Sequence, residues 1–273
     1  MLQLPLFQVD AFTDHIFGGN PAAVCPVPFM FSDEILQSIA SENNLSETAF
    51  LLELPEEDDA DFMLRWFTPS TEVDLCGHAT LAAAQIVFSH LKAELHEVNF
   101  STRSGILSVE RGDKRHTMSF PSLTPLPFAA PDGLGVAMGA EPLSVWKSDK
   151  ADRDLMLVYK DAETVAALKP NLEALKAFAP YGFISTAPGD GDGDVDFVSR
   201  CFFPNHGIGE DPVTGSAHCV SGPYWASVLG KINLRARQTS SRGGDLWLEI
   251  GDDCVEMSGQ AVEFLQGVIF VPE

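Results

Sequence analysis

The sequence predicts an α+β protein made of two similar halves. One motif, Asp-Phe-x-x-Arg-x-Phe-x-Pro, occurs at residues 61–69 and again at residues 196–204. Two further pairs of similar segments follow in the same order, namely residues 76–79 with 214–217, and residues 103–113 with 242–252. In each half, short apolar segments typical of strands flank one longer apolar segment typical of a helix. Three blocks in one order at nearly constant spacing indicate an internal duplication, and so long a period excludes a solenoid.

The join between the halves is predicted at the proline-rich segment 121–131, which holds four prolines and shows no periodicity. We expect the first half at residues 1–122 and the second at residues 130–258, with a strand within residues 260–273 returning to the first half. A length of 273 residues suits two domains of ordinary size.

Local patterns predict the individual elements. Ser32 is a typical N-cap, and the spacing of Ile35, Leu36 and Ile39 predicts a helix that ends near Asn43. Apolar segments predict further helices at residues 79–91, 171–179 and 217–229. Strands are predicted at residues 4–12, 22–27, 46–53, 62–67, 98–102, 106–111, 116–120, 143–147, 155–159 and 197–203.

Composition excludes several classes of partner. The 17 Lys and Arg against 39 Asp and Glu give a net charge of −22, which disfavours nucleic acids and anionic membranes as partners. The five cysteines form no CxxC pair, so we expect neither a zinc site nor a disulfide framework but a reduced, cytoplasmic protein. No signal peptide or membrane-spanning segment is predicted.

The acidic segment 189–195 suggests calcium binding but fails the loop pattern. With Asp190 as the first ligand, Val195 stands where glycine is required and Cys201 where a glutamate is required. We therefore expect a hairpin tip there.

The starts of two predicted helices are candidate anion sites. Cys76 and Gly77 open the first helix, and Thr214, Gly215 and Ser216 open the second. Unpaired backbone N–H groups and the helix dipole favour a carboxylate at such a position. We expect these residues to bind substrate, although an ordinary capped helix start would give the same pattern.

Three residues are candidates for proton transfer. Glu47 begins an apolar strand, where a buried carboxylate could act as a general base, or it is an exposed residue at a strand end. His78 could donate to a substrate oxygen or shuttle a proton, or it packs as a structural histidine. Asp211 could bind a substrate amine or orient His78, or it only complements the helix dipole. Motifs for metalloproteases, phosphate-binding loops and serine hydrolases are missing.

Four blocks resemble the phenazine biosynthesis PhzF-like family: residues 9–13 with 19–24, residues 44–50, residues 76–80 and residues 209–218. The resemblance spans the chain and is weakest between residues 121 and 179. It implies a diaminopimelate epimerase-like fold, in which two pseudo-symmetric halves each curl a mostly antiparallel, barrel-like sheet around a central helix, with the site between the halves.

The resemblance also implies isomerisation without a cofactor. In the best-studied member, a glutamate moves a proton on a cyclic, carboxylated substrate of the dihydroxyanthranilate type. The family's site residues correspond to Glu47, His78, Asp211 and Ser216. We therefore expect an isomerase for a small anionic metabolite, with no cofactor and no metal, and we expect a homodimer.

Two alternatives stay open. The protein could be a non-catalytic ligand-binding or partner-binding protein on the same fold. It could also be an amino-acid epimerase or racemase, but the related epimerases use one thiol from each half. Here Cys76 occupies one such position and Thr214 the other, which disfavours the two-thiol mechanism.

Overall fold

The computed structural model describes residues 1–148, 153–189 and 194–272. The predicted hairpin tip, with the rejected calcium loop, falls largely on residues 190–193 and so lies outside the described residues. The strands are β1 Leu2–Ala11, β2 Asn20–Pro26, β3 Glu47–Glu53, β4 Phe62–Phe67, β5 Glu72–Val73, β6 Glu97–Thr102, β7 Gly105–Glu110, β8 His116–Pro121, β9 Pro125–Phe128, β10 Ser144–Ser148, β11 Asp154–Val158, β12 Gly182–Pro188, β13 Phe197–Phe203, β14 Ile208–Asp211, β15 Asn233–Gln238, β16 Gly244–Ile250, β17 Cys254–Gly259 and β18 Ala261–Val271. The helices are α1 Asp33–Asn43, α2 Gly77–Ile86, α3 Leu134–Met138, α4 Ala162–Ala167, α5 Leu172–Leu175 and α6 Gly215–Leu229.

The chain divides into two compact units. The first comprises Met1–Ser119 and Ser258–Glu273, and the second comprises Phe120–Met257. In the first unit β18 pairs antiparallel with β1, β1 antiparallel with β2, and β2 parallel with β3. Strand β3 then pairs antiparallel with β4, and β4 pairs parallel with β6. Strand β6 pairs antiparallel with β7, and β7 pairs antiparallel with β8.

The second unit repeats this sequence of pairings within itself. Strand β9 pairs antiparallel with β10, β10 antiparallel with β11, and β11 parallel with β12. Then β13 pairs antiparallel with β12 and parallel with β15, and β16 pairs antiparallel with β15. A mixed fold of strands and few helices, as predicted, is confirmed. The pseudo-symmetry between the halves stays a prediction.

The repeated motif performs the same task in both units. Asp61 accepts a hydrogen bond from the backbone N–H of Asn99 and donates its own N–H to the carbonyl of Asn99, at 2.7 and 2.9 Å. Asp196 makes the same pair of bonds with Arg235, at 2.8 and 2.7 Å. In each unit the aspartate thereby fixes the position of the strand that returns in parallel after the crossover helix.

The motif arginines are matched in the same way. Both nitrogens of the Arg65 fork donate to Glu72, each at 2.7 Å, and Arg200 donates to Glu210 at 2.7 and 2.9 Å. Such two-point pairs are stronger and more directional than single contacts. They attach the loop that precedes each of the helices α2 and α6 to the strand before it.

Helices α2 and α6 begin two residues earlier than predicted and carry mostly buried side chains. In α2, Ala79 and the alanines at positions 82–84 are almost inaccessible, and the helix packs against β1, β2 and β3. A helix that is apolar on all sides is expected in the interior of its unit. The helix predicted after Ser32 is confirmed as α1, with Asn44 left-handed at its end.

Several segments differ from the predictions, and the helix predicted at residues 171–179 is only the short α5 followed by a 3₁₀ turn at Lys176–Phe178. Residues Pro125–Phe128 within the predicted join form strand β9, paired with β10 in the second unit. Proline is tolerated at the first residue of a strand or on an edge, where its missing N–H costs no ladder bond. The loop before α6 contains strand β14, which the glycines and prolines of this segment had concealed.

The register aligns Glu47 with Gly182. In the first unit the parallel pairing of β2 and β3 begins at Ala22 and Glu47, and in the second unit that of β11 and β12 begins at Asp154 and Gly182. Gly182 leaves room for its neighbours, because a Cβ atom there would lie 2.4 Å from the ring of Phe203 and 2.6 Å from Asp154. Among the described residues, no helix has both the length and the apolar character that a bilayer crossing requires.

Candidate active site

Glu47 and His78 form a buried contact in the first unit. Glu47 is the first residue of β3, and His78 is the second residue of α2. Oε2 of Glu47 and Nε2 of His78 lie 2.8 Å apart, and both side chains are about nine-tenths buried, at 11% and 7% exposure. The alternative of an exposed glutamate at a strand end is therefore wrong.

This contact leaves hydrogen-bonding capacity unused. Although the two atoms are close, their geometry is not that of a hydrogen bond, and both belong to the small set of buried polar side-chain atoms without a hydrogen-bond partner in the described part of the chain. Buried polar atoms are rarely left in this state. In enzymes without bound substrate, catalytic hydrogen bonds are often poorly aligned. A ligand group within hydrogen-bonding distance of both atoms would satisfy them.

The other ring nitrogen of His78 faces two neighbours. Sγ of Cys76 lies 3.5 Å from Nδ1, and Nδ2 of Asn20 lies 3.3 Å from the same atom. The oxygen of the Asn20 side chain accepts a hydrogen bond from Ser46 at 3.0 Å. His78 thus connects a carboxylate on one side with a thiol and an amide on the other.

The charges near His78 determine its protonation. Burial alone would lower the pKa of His78, but the adjacent Cys76 sulfur and Glu47 carboxylate outweigh burial and raise this pKa well above its usual value. Burial, reinforced by the negative charge of Glu47, raises the pKa of Cys76. The thiol is therefore a poor nucleophile and a poor base near neutral pH, because reactivity requires the thiolate.

Glu47, Cys76 and His78 offer ligand-type atoms within 4.8 Å of one another, a spacing that a metal ion could also use. His78 presents Nε2 to Glu47 and Nδ1 to Cys76, so the three side chains also form a chain of proton donors and acceptors. The expected lack of a metal stays a prediction.

The start of α6 in the second unit is bonded differently. The hydroxyl of Thr214 donates to Oδ2 of Asp211 in a very short hydrogen bond. Gln238, which is fully buried, accepts from the N–H of Thr214 at 2.9 Å and donates to the carbonyl of Asp211 at 2.7 Å. Asp211 thus lies three residues before the N-cap Thr214 and is bonded to Thr214 and Gln238.

Both helix starts keep free capacity for an anion. The N-cap residues Cys76 and Thr214 make no side-chain hydrogen bond to the first turn, and neither first turn contains an acidic residue. Gly77 is half-buried and Gly215 is buried at these positions. The unpaired N–H groups of a first turn and the helix dipole together favour a negative group.

The structure brings together the predicted residues of each unit. Glu47, Cys76, Gly77 and His78 form one cluster, while Asp211, Thr214, Gly215 and Ser216 lie together at the start of α6. The orientation of His78 by Asp211 stays a prediction.

Sequence reasoning assigned no role to Asn20, Ser46 or Gln238. Asn20 is a polar residue that follows a glycine and begins an apolar strand, and it is buried. This position in the sequence could have indicated a role for Asn20. Gln238 ends a strand just before the repeated block at residues 242–252, and no local pattern distinguishes it.

Comparison with known proteins gives one consistent family. The family model for phenazine biosynthesis-like proteins matches residues 9–267. An uncharacterized isomerase of Pseudomonas aeruginosa is 47% identical, with 98% of this chain and 99% of that protein covered. A PhzF family protein of Enterococcus faecalis is 40% identical, with a TM-score of 0.92 over 99% of this chain and 100% of that one.

A more distant structure has a similar fold. A hydroxyproline epimerase of Agrobacterium vitis is 13% identical, with a TM-score of 0.60 over 98% of this chain and 92% of that one. At this identity the likeness concerns the fold alone.

Proposed function

This chain belongs to the phenazine biosynthesis-like protein family, and we propose that it is an isomerase that moves a proton on a small carboxylated metabolite. The reaction uses general acid–base catalysis by side chains and requires no cofactor. The observation that carries the proposal is the buried contact of Glu47 with His78, in which both facing atoms lack a hydrogen bond.

Glu47 is the proposed base. It removes a proton from a substrate carbon and returns it to another carbon on the same face, which is an allylic shift. His78 donates to the substrate oxygen on which negative charge develops, because a positioned donor stabilises such charge best where water is excluded. The register supports a single base, since Gly182 rather than an acid occupies the matching position of the second unit.

The proposed substrate carries a carboxylate. Each unit has an uncapped first turn, at Gly77–His78 and at Gly215–Ser216, that offers backbone donors to such a group, and Ser216 adds a hydroxyl in its own unit. A net charge of −22 repels anions in general, so local dipoles must supply the attraction. We retain Asp211 as a proposed site residue whose carboxylate is held by Thr214.

A two-thiol epimerase is the weaker candidate. Such an enzyme needs a reactive thiol in each half, whereas Thr214 occupies the position that corresponds to Cys76, and its hydroxyl is engaged by Asp211. The pKa of Cys76 is itself raised by burial. Nothing at the two helix starts favours thiol chemistry over the carboxylate.

The test begins without a known substrate. A library of small carboxylated metabolites is screened by thermal shift, and each hit is incubated with the protein in heavy water to detect deuterium on carbon. Glu47→Gln keeps the size of the side chain but removes the base, so exchange should fall by at least about 100-fold. Glu47→Asp should lose less, and His78→Ala should weaken binding as well as turnover.

The matched control is Glu53→Gln at the exposed end of the same strand, where Glu53 only pairs with Lys92 on the surface. This variant should exchange at the rate of the unmodified protein. Full exchange by Glu47→Gln with none by Cys76→Ser would replace the carboxylate mechanism by a thiol mechanism. Tight binding of several hits without any exchange would indicate a binding protein.

A further inference from the structure

The segment Gly19-Asn20-Pro21 places a buried amide beside the candidate site. Gly19 has a φ of +59°, and a Cβ atom there would lie 2.1 Å from the carbonyl oxygen of Ala11, so only glycine fits. Asn20 follows as the first residue of β2 and is fully buried. The tight turn at Gly19 therefore fixes the position of the Asn20 backbone, from which the side chain extends.

The hydrogen bonds of Asn20 orient its amide. Its oxygen accepts from the hydroxyl of Ser46 at 3.0 Å, and its nitrogen lies 3.3 Å from Nδ1 of His78. An amide NH2 group can only donate, so the ring nitrogen that it faces must offer a lone pair. A neutral imidazole with a lone pair at Nδ1 carries its proton at Nε2.

We infer that Asn20 is a positioning residue for His78, which keeps the proton of the neutral imidazole on Nε2, the side that faces Glu47. Ser46 contributes by holding the Asn20 amide in the donating orientation. The inference rests on the proposed function for its purpose, since a proton on Nε2 is the one that His78 can share with Glu47 or a substrate.

The surroundings explain why such a residue is needed. The ionisable groups that contact His78 are Glu47 from β3 and Cys76 at the start of α2, and Asn20 from β2 is the uncharged partner. The two ionisable partners raise the pKa of His78 and favour a permanently charged ring. A donor against Nδ1 opposes the second protonation, so the imidazole can still gain and lose a proton.

The test uses the side-chain nitrogen spectra of protein labelled with ¹⁵N-histidine, with His78 assigned by His78→Gln. At pH values above the pKa of His78 in the unmodified protein, we expect Nε2 to be protonated and Nδ1 to be unprotonated. In Asn20→Leu the donor is lost at similar volume, so the ratio of charged to neutral His78 at a fixed pH should rise roughly threefold to tenfold, as expected for one hydrogen bond. Ser46→Ala should shift this ratio in the same direction by less.

Asn43→Leu is the matched control, because Asn43 donates to Thr48 at 3.1 Å and does not contact His78. It should leave the His78 spectrum unchanged. A neutral form protonated on Nδ1 in the unmodified protein would overturn the inference even if Asn20→Leu failed to fold. An unchanged titration of His78 in a folded Asn20→Leu variant would overturn it as well. Neither readout needs a substrate, so this failure is distinguishable from a failure of the proposed function.

Discussion

The helices α2 and α6 each follow a copy of the repeated motif, but the side chains around their first residues differ. Around α2, an acid, a thiol and an imidazole are buried in contact with one another, and two facing atoms stay without a hydrogen bond. Around α6, the carboxylate of Asp211 and the uncharged side chains of Thr214 and Gln238 form a hydrogen-bonded network. The repeated motif thus precedes a helix start in each unit, and the side chains at the two starts differ in their hydrogen bonds and burial.

The histidines of the two helices show the same contrast. The neighbouring Cys76 sulfur and Glu47 carboxylate raise the pKa of His78 despite its burial. His218, on the next turn of α6, is fully buried and donates or accepts only with neutral groups, so burial lowers its pKa to about 4. The neighbours of His78 thus favour its charged form, whereas burial among neutral groups favours the neutral form of His218.

The largest expected effect follows from His218. Its pKa of about 4 in the folded protein lies below the ordinary value of 6.5, so the unfolded chain binds more protons between these values. Stability should therefore fall as the pH drops from about 6.5 to about 4, by roughly 3 kcal/mol from this residue. Urea unfolding of the unmodified protein and of His218→Gln across this range measures the difference.

For His78 the dependence of stability on pH is opposite. Because its pKa is raised in the folded protein, His78 stabilises the fold at low pH, and this contribution is lost as the pH rises through the pKa that His78 has in the folded protein. His78→Gln should flatten the alkaline side of the stability profile and leave the acid side unchanged. If both variants changed the same side, the contrast between the two histidines would be wrong.

The next largest effect concerns the hydrogen-bonded network of Asp211, Thr214 and Gln238 around α6. Gln238→Leu removes the acceptor for the buried N–H of Thr214 and the donor for the carbonyl of Asp211. An unpaired buried group costs about 1–3 kcal/mol, so we expect the free energy of unfolding to fall by about 2 kcal/mol. Gln266→Leu, at an exposed position of β18, is the control and should change stability by less than about 0.5 kcal/mol. Equal losses in both variants would show that the network contributes nothing specific.

The smallest expected effect is the difference in stability loss between substitutions of the two motif arginines, Arg65 and Arg200. Arg200 donates to Glu210 and also to the carbonyls of Val165, Ala166 and Leu168, whereas Arg65 contacts only the carboxylates of Glu72 and Asp33 by hydrogen bonds. Arg200→Ala should therefore lower the free energy of unfolding by about 1 kcal/mol more than Arg65→Ala. Denaturant unfolding of both variants tests the order, and a larger loss in Arg65→Ala would reverse it.

Local patterns in the sequence predicted much of the fold and part of the site. The strand at Phe62–Phe67 and the helix after Ser32 follow from apolar spacing and capping, and both are present. Glu47 and His78 were singled out by their positions at a strand start and a helix start, which the structure places in contact. Each of these signals lies within a few residues of the side chain concerned.

The remaining features depend on partners that are distant in the chain. Strand β9 forms because it pairs antiparallel with β10, and this pairing outweighs the low strand propensity of the prolines in Pro125–Phe128. Gln238 acquires its role only when β15 lies against the loop that holds Asp211. Asn20 was visible as part of a motif, but its contact with His78 spans 58 residues, and no local pattern encodes it.

The close packing at Gly182 limits how this protein could be re-engineered. In the proposed one-base mechanism, the position of the second unit that aligns with Glu47 is Gly182. A Cβ atom there would approach Phe203 to 2.4 Å and Asp154 to 2.6 Å. Asp154 is buried, and burial raises its pKa. An acid introduced at Gly182 would therefore require the side chain of Phe203 or Asp154 to move, so a variant with a second acid would need changes in neighbouring side chains as well.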